Sequence, residues 1–230
     1  MADSKAKRMQ RKRRRTPAVL QPPELPTPLS VAALKRLADQ LHCTCCSISD
    51  HGFDTQVAED ILLDRVLCKH SSFQHTQLNL AQLMDVRLEV CDMAAATWTK
   101  ASLHRIELIG CRASGMAMLD SELQDVLIQR CTAELMRIWS SRLQRVRFEQ
   151  CRLQKSSFEQ SNLRGVVFRH CDLSGAQFSG ARMQGCDLRG SQLQGITVGI
   201  QELQGAIIDP GQALLLASLL GLLVQPEEPD

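Results

Sequence analysis

From residue 73 to residue 208, every fifth side chain is apolar. The run starts Phe73, Leu78, Leu83, Leu88, Met93, Trp98 and reaches Ile208 through 28 positions with no insertion. In a chain that is 44% hydrophobic, chance does not produce this. Stepping back finds Cys68, Leu63, Ala58, Phe53 and Ile48 in the same phase. Period five excludes the two common regular structures. On a helix, five residues at about 100° each rotate the face by about 140°, so the apolar positions would spiral around it. On a straight strand five is odd, so successive hits would face opposite sides. A short extended piece followed by a turn in every five residues satisfies the pattern. The central residue and the one two before it then both point inward, and such units stack into a solenoid.

A second period sets the shape of the coil. Cys recurs at 91, 111, 131, 151 and 171, two places before a central residue. Parallel columns run Val66, Val86, Ile106, Val126, Val146, Val166 and Ala81, Ala101, Ser121, Ser141, Ser161, Ala181. Four fives with a turn of about 90° at each close a square, and like residues then lie one strand spacing (~4.8 Å) apart. Gly115, Gly165, Gly175, Gly180, Gly185, Gly190, Gly195 and Gly205 all take the last place of their five. That place suits corners with positive φ, and the bias toward the second half predicts tighter corners there.

The fives SNLRG (161–165), CDLSG (171–175) and CDLRG (186–190) follow the order small residue, Asp or Asn, then Leu, then two variable residues. In this the stretch 46–208 resembles the pentapeptide-repeat proteins. The resemblance implies an all-β solenoid: a right-handed, four-sided parallel β-helix, here of about eight coils. The earlier coils depart from the motif, with Ile106, Met116, Val126 and Met136 in the small-residue place; Ala113 and Ala133 offset some of that bulk. Some members of the family resemble B-form DNA in shape and charge and bind DNA gyrase in its place. That mechanism needs an acidic rod, whereas residues 61–208 hold 17 basic and 14 acidic groups.

The remaining segments are predicted as follows. Residues 1–29 form a disordered tail: Lys5, Lys7, Arg8, Arg11, Lys12, Arg13, Arg14 and Arg15 precede a linker with five prolines in residues 16–29. Residues 30–45 form an N-terminal helix capped by Ser30, with Val31, Leu34, Leu37, Ala38 and Leu41 on one stripe, covering the first coil. Residues 209–224 form a C-terminal capping helix begun by Asp209 and Pro210, and 225–230 a disordered tail. Leu215, Leu216, Leu219, Leu220 and Leu223 belong to a leucine set too wide for one stripe; part meets the last coil, and part is a candidate homodimer contact.

The chain lacks the hydrophobic core of a signal peptide behind its basic start, and no apolar run is long enough to span a membrane. A cytoplasmic protein with reduced thiols is expected. His42, Cys43, Cys45, Cys46 and His51 crowd together but lack paired metal-ligand halves, so packed thiols are the reading there. The stacked Cys column faces inward among apolar neighbours, where a thiol is inert. No catalytic fingerprint occurs, and the expectation is a non-enzyme without cofactor or metal. Candidate interaction residues are the tail cations and a belt of Arg130, Arg137, Arg142, Arg145, Arg147, Arg152 and Lys155 that must wrap the rod, since a coil takes twenty residues. Three functions are open. First is a scaffold docking an unidentified protein, second a nucleic-acid-associated protein anchored by the tail, and third a gyrase-binding DNA mimic, which the basic rod disfavours.

Overall fold

The computed structural model describes residues 19–223, apart from Ala33 and Leu220. It is a parallel β-solenoid of about seven turns. One sheet of eight strands bends around the first two sides. In spatial order it holds β1 (Ser30–Val31), β2 (His42–Ser49), β4 (Leu62–Lys69), β6 (Gln82–Glu89), β8 (Ser102–Ile109), β10 (Glu122–Gln129), β12 (Arg142–Glu149) and β13 (Val167–Arg169). The fourth side is a five-stranded sheet of β3 (Val57–Glu59), β5 (Gln77–Asn79), β7 (Thr97–Thr99), β9 (Ala117–Leu119) and β11 (Arg137–Trp139). The third side is held by single bridges at Gly52, Ser72, Asp92, Arg112, Thr132 and Arg152. Every register steps by twenty, as in Leu63, Leu83, Leu103, Leu123 and Leu143. The central residues of the fives fill the interior, where Phe148, Phe158, Phe168 and Phe178 are fully buried in an aromatic ladder.

Corners fall at every fifth residue and have positive φ, whether or not glycine is there: Arg65, Asp85, Val90 and Asp125 lie at 54–55°. The two halves nevertheless turn differently. Between residues 50 and 150 only the corner between the third and fourth sides closes a four-residue hydrogen-bonded turn, as Thr76 N–H to Phe73 O. From Leu153 onward almost every corner does, for example Val166 to Leu163 and Ala181 to Phe178. Glycines with φ near 70° in this half allow the tighter turn.

The small-residue columns do more than fit. Ser141 and Ser161 donate from Oγ to the carbonyls of Met118 and Ile138 in the preceding coil, and the thiols of Cys111, Cys131 and Cys151 do the same to Leu88, Leu108 and Ile128. The Asp or Asn of the motif also has a local task. Asp92, Asn162, Asp172 and Asp187 each accept from the main-chain N–H two residues on, which fixes the corner.

Three expectations need correction at the N-terminal end. The predicted helix at 30–45 does not form: Ser30 and Val31 pair with Cys46 and Ser47, and Gln40 makes a further corner whose N–H reaches Glu59 O at 2.9 Å. A helix satisfies only its own backbone, so it would leave the edge of β2 unpaired, whereas a strand pairs it. Ala38 and Cys43 also continue the fivefold phase, so the apolar stripe belongs to the coil. Cys43 and Cys46 are joined in a disulfide rather than packed as thiols, because the left-handed turn at Cys45 brings both inward. Finally, of the tail expected to be disordered over 1–29, residues 1–18 lie outside the described residues, and Gln21 and Glu24 are not in a loose linker but bonded to the rod.

The C-terminal cap forms, with a helix shorter than the expected 209–224. Helix α1 (Ile200–Leu203) replaces one side of the last coil, and α2 (Pro210–Leu219) closes it. Asp209 and Gln212 make a reciprocal capping box, each bonding the other's N–H at 3.0 Å. Gln212 Nε2 also donates to Leu188 O and Ser191 O at 2.7 Å, pinning the helix to the rod. Leu203 still packs on the core, which is why the apolar phase runs through α1 unbroken.

Candidate interaction surface

Among the described residues, the interior is filled by apolar side chains and buried thiols. The column thiols are buried and committed to main-chain carbonyls, and burial pushes the Cys186 thiol well above its ordinary range. Among the described residues no three His, Cys, Asp or Glu side chains converge as metal ligands, and no helix is long and apolar enough to cross a membrane. Recognition therefore has to be sought on the outside.

The tail cations from Lys5 to Arg15 lie outside the described residues. The belt does wrap the rod, but it is partly neutralised. Arg145 forms a two-pronged pair with Asp125, both bonds 2.6 Å; Arg147 pairs with Glu149 at 3.2 Å; Arg152 faces Glu134 at 3.9 Å and donates to Thr132. Arg142 is the register partner of Glu122 without forming an ion pair with it. Among the described residues, Arg130, Arg137, Arg142 and Lys155 have no acidic partner within 4 Å, and all four are exposed. Between Arg137 and Arg142 stands Trp139, on β11, with 44% of its surface exposed. Its indole faces solvent because it takes the outward place of its five. The same phase count that identified the core could have singled it out.

In α2, Leu216 is buried and Leu215 half-buried against the rod, while Leu219 and Leu223 are exposed; Leu220 lies outside the described residues. The described leucines are thus divided between the rod and solvent, with Leu214 and Leu222 also facing outward.

A feature the fivefold count did not bring out runs down the corner between the first and second sides. Its residues are Arg65, Asp85, Arg105, Asp125 and Arg145, charge alternating with each coil. These corner residues are skipped in the strand pairing, so the column stands free of the ladder. Arg105 grips Asp85 with Nε and Nη2, as Arg145 grips Asp125. Each carboxylate also accepts a main-chain N–H from the proline-rich segment, Glu24 to Asp85 at 2.9 Å and Gln21 to Asp125 at 3.3 Å. Asp85 and Asp125 are 4% and 0% exposed, unusual for corner carboxylates. Burial pulls each pKa upward, but the hydrogen bonds from arginine and from the segment outweigh it, and both carboxyls lie below their ordinary value.

The sequence matches the profile of the pentapeptide repeat region over residues 81–157 and again over 141–207, more than half of the chain. The chain belongs to the pentapeptide-repeat family. Solved structures similar to it include HetL, a pentapeptide repeat protein involved in heterocyst differentiation regulation from the cyanobacterium Nostoc sp. Strain PCC 7120. That match has 20% identity, a TM-score of 0.41, and covers 75% of this chain and 91% of HetL. Full-length QnrB1, a plasmid-mediated fluoroquinolone resistance protein, matches with 19% identity and a TM-score of 0.36, over 76% of this chain and 100% of its own. No curated protein matches the sequence.

Proposed function

We propose that this pentapeptide-repeat protein is a non-enzymatic interaction rod whose outer surface docks a protein partner. The observation that carries this reading is Trp139, exposed between Arg137 and Arg142, neither of which has an acidic partner among the described residues. Trp and Arg are the side chains most enriched at the energetic centres of protein interfaces. An exposed indole flanked in sequence by two exposed arginines without acidic partners among the described residues fits an acidic or aromatic partner surface. The inward thiols and hydroxyls, tied to main-chain carbonyls, support the absence of catalysis.

The test is affinity capture from the native cell with wild type, Arg137→Glu/Arg142→Glu and Trp139→Ala as baits. Loss of the same bound protein from both variants, with unchanged melting, supports the reading; equal capture by all three refutes it. A nucleic-acid role for Lys5–Arg15 predicts instead binding to duplex DNA that falls steeply with salt and disappears when residues 1–15 are deleted.

A further inference from the structure

We propose that the corner column Asp85–Arg105–Asp125–Arg145 is a docking groove for extended, proline-rich protein segments. Residues 20–25 are its resident occupant, displaceable by a matching segment of a partner. This rests on the interaction-rod reading and narrows it to one corner and one ligand chemistry.

The fit is one of pitch. A polyproline II chain advances about 3.1 Å per residue, so three residues span about 9.3 Å. Two coils of a parallel sheet span about 9.6 Å. Gln21 and Glu24 are three residues apart, and their acceptors Asp125 and Asp85 are two coils apart. The match requires carboxylates on alternate coils, which is what the column provides. Arginine occupies the coils between and holds each carboxylate with two bonds, so the acceptors are fixed before any segment arrives.

Composition of the segment agrees. Between the two donors lie Pro22 and Pro23, which have no N–H to leave unpaired on the groove and which pre-set the extended conformation. Leu20, Pro23 and Leu25 are half-buried, whereas Gln21 and Glu24 are exposed. Recognition thus reads main-chain N–H groups at two non-proline positions, with half-buried apolar residues beside them. The chemistry it selects is Leu-x-Pro-Pro-x-Leu, where x is any residue except proline. Beyond Arg145 the same corner carries Gly165, Gly185 and Gly205, so the groove ends where the acceptors end.

The experiment uses full-length protein and a fluorescent peptide copying residues 16–29. In the variant Gln21→Pro/Glu24→Pro the resident segment stays extended but loses both donors, which opens the groove. Peptide binding is followed by anisotropy, with far-UV circular dichroism to show that the rod is folded. The opened variant is expected to bind the peptide at least about tenfold more tightly than wild type, where the tethered segment competes at high effective concentration. A peptide with proline at both donor positions is expected not to bind. Equal binding of the two peptides, or none by the folded opened variant up to about millimolar concentration, overturns the groove. Equal affinity of wild type and opened variant overturns displacement. Neither result touches capture through Arg137 and Trp139, which is measured separately.

Discussion

Replacing Phe158 with alanine removes the centre of the aromatic ladder. The ring is fully buried, stacks on Phe178 at 5.4 Å and meets Phe148 and Phe168 edge-on at 5.8 and 5.2 Å. A buried Phe→Ala change costs about 3–5 kcal/mol, and more when the surroundings cannot collapse into the cavity. Here they cannot: the neighbouring rings are held by a register of twenty residues above and below, so a cost of about 4 kcal/mol is expected. In urea titration followed by circular dichroism, with a slope of about 2–3 kcal/mol/M, this moves the midpoint down by roughly 1.5–2 M. A solenoid couples each coil mainly to its neighbours, so a broadened or two-step transition with the C-terminal coils melting first is the accompanying signature. Phe158→Leu is expected to cost no more than about 1.5 kcal/mol. Trp139→Ala, on the solvent side of the same region, is expected to change stability by less than about 0.5 kcal/mol. A midpoint shift below about 0.5 M for Phe158→Ala, at unchanged slope, would refute the assignment of this ladder as the stabilising core.

The corner and cap chemistry makes further predictions. Val90 is a β-branched residue at φ 54°, 59% exposed; Val90→Gly should stabilise the rod by up to about 1 kcal/mol, read as a raised Tm, because it relieves the left-handed penalty. Gly180→Ala should do the opposite by about 1–2 kcal/mol, since φ is +71° and the new methyl meets the side-chain amide of Gln160. Gln212→Ala removes the side-chain arm of the capping box and both anchors to the last coil, leaving the Gln212 N–H to Asp209 bond, at about 1–3 kcal/mol. Early proteolysis within α2 is the readout. The lowered pKa values of Asp85 and Asp125 mean that their stabilisation is complete above the ordinary aspartate pKa of about 3.9 and is lost as pH falls through the depressed values. Tm should therefore be insensitive to these two groups above about pH 5 and fall below about pH 4, and Asp85→Asn/Asp125→Asn should flatten that acid limb.

The sites divide by how each is encoded. The belt arginines were legible one by one, but which of them are free was not. Arg145 is consumed by Asp125 one coil away, while Arg142 and its register partner Glu122 do not pair, and side-chain reach rather than spacing decides this. The N-terminal segment reads ambiguously because Leu34, Leu37 and Leu41 satisfy both a helical stripe and the approach to a coil. Ser30 and Val31 pair with the open edge of β2, and Leu34 to Leu41 follow as irregular chain and a corner at Gln40.

By itself the amino-acid order determined the rod. Its fivefold phase, its twenty-residue columns and its corner glycines are local rules repeated so often that only one stacking satisfies them all. Even the cap was written in Asp209 and Pro210. What only the tertiary structure decided is what lies against the outside. The proline-rich segment carries no period of its own, and the column from Arg65 to Arg145 is invisible until the coil places its charges above one another. Their meeting depends on the equality of two long-range pitches, three extended residues against two coils. No local pattern in either segment encodes that equality.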